Sequence, residues 1–392
     1  MAKKESQYKK LGIDAMKGKV RKTFKDLIDN DYPGAWVNIV RDPDFPGWVF
    51  TQHNDGDGSK FVQRLLIYKE AGDISVIRGA VDDALQMNLG DIAASGFVSG
   101  KIVITDIIDI NGINTPKDII MEEIKQRFAE LKELYRGYGF KIFMLGGETA
   151  DLPDQVQSVV LNVSVFSHTK EEDVISGLVR PGDVIYGFAS NGQAAWERET
   201  NSGIMANGLT LARSVIMHSK YNEIYPELTR PGGIYRGTCA VGKDGNKSSN
   251  FAKMLISPTR QWSLAISLLI KKLKEKGAFS KLHGISLNTG GGAAKIKHLG
   301  IGGITYRKRM PRPPEVFQFI QQASKESWKN MFETFNCGIG IDVVGEPCDE
   351  LRNALTATAA ETNIQLYRLG VCEKKRGKNK VELITDYGDF SY

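Results

Sequence analysis

Residues 141–153 restrict the fold more than any other tract. An apolar run over residues 141–145 reads as a short buried strand. It leads into Leu145-Gly146-Gly147-Glu148-Thr149-Ala150-Asp151-Leu152-Pro153. Two glycines let a backbone turn tightly and come close to a ligand. A carboxylate, a hydroxyl and a second carboxylate follow, and Pro153 stops further pairing. A strand, a glycine turn and an acid at the strand end suit a metal and a phosphate. A plain turn with its acids in water is the alternative.

Around this tract, strand and helix signals alternate. Residues 48–52 read as a strand, followed by His53-Asn54-Asp55-Gly56-Asp57-Gly58-Ser59-Lys60 and a helix over 61–71. A helix over 79–94 has one apolar stripe (Val81, Ala84, Leu85, Leu89, Ile92), with Asp82 and Asp83 near its first turn. A β-rich run covers 97–108. Thr115 is placed to cap, and Pro116 to open, a long helix with the stripe Ile120, Ile124, Phe128, Leu131 and Leu134. Residues 156–166 alternate as a half-exposed strand does. After a charged linker at 170–173 comes a second set: strands at 184–189, 283–287, 301–306, 338–344 and 364–371, with helices between them. A Gly/Pro-rich stretch, 226–250, reads as an exposed insertion. The chain has 392 residues, more than one ordinary core serves, so two domains are expected, at 1–172 and 173–392. Both are mixed α/β.

Composition narrows the function. The net charge is +6, with basic clusters at 271–276, 307–312 and 374–380 that read mostly as solvated faces. No aromatic residues are interleaved with them to stack bases, and no nucleic-acid motif spacing occurs, so no nucleic-acid partner is expected. No apolar run reaches the ~18–20 residues of a membrane span. The start has no apolar segment of a secretory kind. Cys239, Cys337, Cys348 and Cys372 are scattered, which argues against a zinc site and for a cytoplasmic protein with reduced thiols. Residues 12–19 nearly spell a P-loop but miss its spacing and its hydroxyl.

Three tracts of the first half carry acids: Asp55 and Asp57, Asp82 and Asp83, Glu148 and Asp151. Mg²⁺ prefers oxygen and usually takes one or two carboxylates plus phosphate oxygens. Lys60 closes its glycine turn, where an ammonium can meet a phosphate. Any one of these turns alone could be a solvated loop; together they suggest a Mg-nucleotide site without a Walker motif. In the second half, Thr289-Gly290-Gly291-Gly292 leads into a helix whose first N–H groups favour a phosphate, or else forms a flexible turn. Ser257-Pro258-Thr259-Arg260 offers hydroxyls and a guanidinium. Cys337 could be a nucleophile or an inert buried thiol.

These residues, in this order, resemble the phosphoribosylformylglycinamidine cyclo-ligases, or aminoimidazole ribonucleotide (AIR) synthetases. The family's D-G-V-G-T-K is similar to Asp55–Lys60, its V-N-D to Val81-Asp82-Asp83, and its G-G-E-T-A-E-M-P to Gly146–Pro153. Its S-N-G resembles Ala206-Asn207-Gly208, its T-P-T-R resembles Ser257–Arg260, and its T-G-G-G stands whole at Thr289–Gly292. Its T-F-N-C-G-V-G is matched at Thr334–Gly340. The resemblance implies a two-domain α/β subunit whose N-terminal sheets pair across a homodimer, with ATP near that interface. It implies ATP-dependent ring closure of a small ribonucleotide, with Mg²⁺. Asp55, Asp83 and Glu148 would be the metal acids. Lys60, Asp83 and Asn207 would be the catalytic groups. Asp55, Gly56, Gly58, Lys60, Gly146, Gly147, Thr149, Gly290, Gly291 and Gly292 would line the nucleotide and substrate.

The chain departs from the family at Asp57 for valine, Asp82 for asparagine, and Met205 and Leu287 for two histidines. His283, four residues before Leu287 on the same strand, is expected to be an ordinary strand residue rather than a replacement. A thiamine-monophosphate kinase, or a nucleotide-binding dimer without chemistry, is the alternative.

Overall fold

The computed structural model describes residues 6–13, 22–242 and 247–392. Part of the near-P-loop tract (14–19) and part of the Gly/Pro-rich stretch (243–246) lie outside the described residues.

Two sheets organise the chain. The first contains β1 (Val40–Arg41), β2 (Trp48–Gly56), β3 (Lys101–Ile110), β4 (Lys141–Asp151) and β5 (Val159–Lys170), in the order β1-β2-β5-β3-β4. Only β3 and β4 run parallel within it, joined by the helix Lys117–Gly137, because a parallel pair needs a crossover. The second sheet holds β6 (Val184–Ala189), β7 (Leu282–Leu287), β8 (Ile304–Arg309), β9 (Ile339–Gly345), β10 (Leu366–Lys374), β11 (Lys380–Thr385) and β12 (Gly388–Ser391), in the order β12-β11-β8-β10-β6-β9-β7. The stretch between the sheets is 171–183, and it starts with a short turn at Glu171–Asp173. Residues 7–10, at the chain's start, lie against the second half: the Gln7 N–H donates to Glu326 Oε2 at 2.7 Å.

Several local expectations give way to tertiary pairing. Gly146-Gly147 is not a tight turn. β4 continues through it to Asp151, and a register shift opposite Ile104/Asp106 absorbs Gly146 at φ +96°. A Cβ on Gly147 would stand 2.4 Å from Asp106 O. The close approach that these glycines permit is therefore to β3, not to a ligand. Likewise β2 runs on to Gly56, so His53, Asn54 and Asp55 are strand residues.

The helix Arg78–Ala93 is not amphipathic. Every residue from Gly79 to Ala93 is buried. One side meets β2 and β5, and the others meet the helices Lys117–Gly137 and Trp262–Glu275. A helix enclosed on all sides has no solvated stripe. Asp82 and Asp83 lie inside it, beyond its first turn. Thr115 does not cap the following helix; its hydroxyl donates to Asn111 O at 2.7 Å, and Pro116 holds the cap position.

The two halves are bound by a buried polar network. Tyr135 donates to Gln261 Oε1 at 2.6 Å and lies 2.7 Å from Ser263 Oγ, while Ser263 Oγ donates to Gln86 Oε1 at 3.0 Å. Buried groups paired across two halves in this way fix one arrangement of the elements, although Gln86 Nε2 has no partner among the described residues.

Candidate active site

At the junction of the halves lies a fully buried ionic cluster. Lys60 opens the helix Lys60–Ala71, and Arg64 is one turn on, so both side chains share a face. Asp83 receives them both: Lys60 Nζ at 2.9 Å and Arg64 Nη2 at 2.7 Å. It also accepts from the Thr259 backbone N–H at 2.8 Å and the Thr259 hydroxyl at 2.6 Å. Lys60 further donates to Ser257 O. Burial alone would raise the Asp83 carboxyl pKa, but Lys60, Arg64 and Thr259 together hold it below the ordinary value. Burial, only partly opposed by Asp83, pulls the Lys60 ammonium down.

This pairing corrects two expectations. Lys60 does not stand open to a phosphate at the end of its turn; it is 0% exposed. Asp83 is not a vacant metal ligand, because protein donors already occupy both its oxygens. The cluster instead clamps the Ser257–Arg260 turn onto the Arg78–Ala93 helix. Arg260 extends the clamp, binding Glu197 at 2.8 Å and the carbonyls of Ala189 and Gly192, each at 2.8 Å. Thr259 belongs to the Ser257–Arg260 tract whose hydroxyls the sequence offers, whereas Arg64 is not singled out by the sequence reading. The signal for Arg64 was its place four residues after Lys60.

Asp57 lies beside this cluster. It is 0% exposed, and neither carboxylate oxygen has a hydrogen-bond partner among the described residues. Burial first, and the Asp83 charge second, push its carboxyl well above the usual range. Asp82 is paired differently, with Arg127 at 2.8 and 2.7 Å.

The Gly58 turn abuts the Asn207 turn: a Cβ on Gly58 would stand 3.8 Å from Ala206 O, and Ser59 Oγ lies 3.0 Å from Thr210 Oγ1. Asn207 Nδ2 is buried with no partner among the described residues. Gly208, at φ +79°, has no room for a side chain against the Phe335 ring. Asn336 braces the same region, accepting from Ser190 Oγ at 3.0 Å and donating to Gly203 O at 2.9 Å. Cys337 is fully buried and burial pushes its thiol well up, so it is no nucleophile.

Asp55 is half-buried at the end of β2 and accepts from the Gly56 N–H at 2.8 Å. A chain of contacts links it to the Gly290–Gly292 turn. Asn88 donates to Asp55 O at 3.1 Å and meets His53 Nδ1 at 2.9 Å. His53 Nε2 is 3.3 Å from Asp91, which also accepts from Trp36 Nε1 at 3.0 Å. Lys295 lies over the Trp36 ring at 4.8 Å and donates to Thr289 Oγ1. Burial would lower the His53 pKa, but Asp91 and Asn88 outweigh it and raise it. Gly291 and Gly292 have φ of +102° and +57°. They lead into a 3₁₀ turn, Gly292–His298, rather than an α-helix.

Gly146, Gly147, Glu148 and Thr149 stand apart from all of these. They lie on β4, three strands from β2 in the sheet order, a separation of about 14 Å. Glu148 is exposed and pairs in register with Ile107, which is also exposed. Asp55, Asp83 and Glu148 therefore do not meet on one Mg²⁺ within a subunit. Among the described residues no three His, Cys, Asp or Glu side chains could hold a metal ion. This donor set does not fit the expected three-acid centre.

His283 is 6% exposed and bound to Asp183 at 2.7 Å. It is a buried strand residue held by a carboxylate. No described helix is long and apolar enough to cross a membrane.

No family model matches the chain. Phosphoribosylformylglycinamidine cyclo-ligases of archaea are similar along its length. That of Methanococcus maripaludis (strain C6) is 27% identical and 96% of each chain is covered. That of Methanocaldococcus jannaschii is 27% identical over 83% of this chain and 79% of its own. Among solved structures, the HypE–HypF complex gives a TM-score of 0.53 at 15% identity, covering 95% of this chain and 97% of that one. Thiamine monophosphate kinase from Aquifex aeolicus gives 0.51 at 12% identity, covering 98% and 99%. With its two mixed sheets and this likeness over nearly its whole length, the chain has the fold of the AIR synthetase-like superfamily.

Proposed function

We propose that the protein is an ATP-dependent cyclo-ligase that closes formylglycinamidine ribonucleotide to 5-aminoimidazole ribonucleotide. One observation carries this reading. The tracts that resemble the cyclo-ligases, Asp55–Lys60, Asp83, Ala206–Gly208 and Ser257–Arg260, come from both halves and converge at one junction beside a buried, unpartnered amide, Asn207 Nδ2. Relatives named for that reaction cover the chain nearly end to end.

In this reading ATP phosphorylates the amide oxygen, the amidine nitrogen attacks the activated carbon, and phosphate leaves. Activation is needed because an amide oxygen is a poor leaving group. Asn207 supplies the amide donor that faces the ligand. Lys60 and Asp83 act as positioning groups that hold the Ser257–Arg260 turn, and the Gly290–Gly292 turn lies on the substrate side. Mg²⁺ would arrive with the nucleotide and meet Asp55. Glu148 would meet the nucleotide at a subunit boundary, because the outward face of the first sheet is unusually apolar. Phe143 is 48%, Leu145 70%, Ile107 42% and Phe166 38% exposed. A patch of this kind marks an interaction surface, and a homodimer joined through it is part of the proposal.

The test is purified protein with formylglycinamidine ribonucleotide, ATP and Mg²⁺, followed for aminoimidazole formation. Turnover is expected, with Asn207→Ala lowering kcat about 100-fold, as loss of one oriented donor does. ATP consumption with thiamine monophosphate and none with the ribonucleotide would refute the assignment.

A further inference from the structure

A cavity of about 230 Å³ opens between the two halves, away from the ionic cluster. Neither Lys60, Asp83 nor Asn207 lines it. Val62 does, and it lies nearly opposite Lys60 on their shared helix. Much of its wall is the stretch around residues 227–234 that reads in the sequence as an exposed insertion. That stretch is in fact anchored, with Leu228 1% and Tyr235 3% exposed.

Arg213 lines the cavity and is 7% exposed. Its Nη1 donates to Leu228 O at 3.1 Å and to Tyr235 Oη at 2.7 Å, and the guanidinium lies 5.5 Å from the Tyr235 ring centre. Its Nε is buried with no partner. Among the described residues it makes no ion pair. A buried cation without a counter-charge is costly, so the fold holds this group ready at the expense of stability. The carboxylate in the wall, Glu227, does not neutralise it, because Glu227 is bound by Lys69 at 2.7 Å. Arg230 brings a second guanidinium, held among the described residues by a 3.4 Å contact to Leu11 O. Ser158, Thr210 and Thr229 add hydroxyls.

We propose that this cavity is a second, small-anion site that takes a phosphate group, as inorganic phosphate or a small phosphomonoester. Two guanidiniums and three hydroxyls match the several oxygens of a phosphate better than the two of a carboxylate. The volume lies below the roughly 300–1,000 Å³ of pockets for drug-sized ligands, too small for a whole nucleotide. Arg213 is the anchor, and the stretch around 227–234 exists in part to wall the site.

Calorimetric titration of nucleotide-free protein with inorganic phosphate and with ribose 5-phosphate tests this. Wild-type protein is expected to bind at least one of them saturably, with Kd below about 1 mM. Tighter binding of ribose 5-phosphate identifies a phosphomonoester occupant; equal or weaker binding identifies free phosphate. Arg213→Met is expected to abolish binding. Arg230→Met, an exposed substitution that leaves the fold intact, is expected to weaken it about tenfold. No saturable binding by wild-type protein, or unchanged affinity in the folded Arg230→Met protein, overturns the site.

Discussion

Arg64 lies so close over Gly79 that a Cβ there would stand 2.3 Å from Nη1 and 2.6 Å from Nη2. The guanidinium cannot swing away freely, because Nη1 donates to Val76 O at 2.9 Å and Nη2 to Asp83 at 2.7 Å. Gly79→Ala is therefore expected to displace Arg64 and leave Asp83 with Lys60 and Thr259 alone. Loss of a hydrogen bond to a buried charge costs about 2 kcal/mol. Urea unfolding reads this directly; a midpoint equal to wild type would show that Arg64 has another place to go.

Asp57 makes the fold less stable as pH rises above the ordinary carboxylate value. The folded chain keeps its proton above the ordinary carboxylate range, whereas the unfolded chain releases it at the ordinary value. Across that window the folded state binds more protons, so stability falls as pH rises through it. The contribution is complete below the unfolded value. Asp57→Val, which restores the residue of the resembling family, removes both the titration and two orphaned oxygens. It is expected to stabilise the protein by about 1–3 kcal/mol at neutral pH and to flatten the pH dependence of melting. A lower melting temperature for Asp57→Val would instead mean that the carboxylate serves a bound partner.

A charge on the outward sheet face should prevent association. Leu145→Arg replaces a residue 70% exposed in the single subunit, so folding is expected to be untouched. Wild-type protein is expected to sediment as a dimer at micromolar concentration and the variant as a monomer. A monomeric wild type ends the proposal of a shared face.

Glu148→Gln is expected to melt as wild type does, since the side chain is exposed and its recorded hydrogen bond is to its own neighbour, the Thr149 N–H. Activity is expected to fall, with a raised Mg²⁺ requirement, if the carboxylate reaches the nucleotide at a subunit boundary. An unchanged Mg²⁺ titration with full activity removes Glu148 from the site.

The class of fold and the order of most elements were legible because strand and helix periodicities are local. The stripe Ile120, Ile124, Phe128 and Leu131 is buried as its spacing predicts, and Tyr135 rather than Leu134 forms its buried end. What could not be read depended on distant partners. Gly146-Gly147 has the local character of a turn, and only the register against Asp106 makes it strand. Residues 79–93 show one apolar stripe, and the helices Lys117–Gly137 and Trp262–Glu275, the second far along the chain, cover the faces that β2 and β5 leave open. Lys60 at the end of a glycine turn looked outward. Asp83, Ser257 and Thr259, from three separate tracts, turn it inward. The 226–250 stretch has a loop's composition, yet Leu228 and Tyr235 anchor it.

The enclosed helix Arg78–Ala93 also limits how the gene can be rearranged. One side of its cover, the helix Trp262–Glu275, comes from beyond residue 260, so the first half does not carry a complete core on its own. A chain cut within 171–183 would leave the first fragment with an apolar helix face in water. The halves are not interchangeable modules, because the helix Arg78–Ala93 packs on the helix Trp262–Glu275. A substitution in the seam between Gln86, Tyr135, Gln261 and Ser263 is therefore felt by both halves at once.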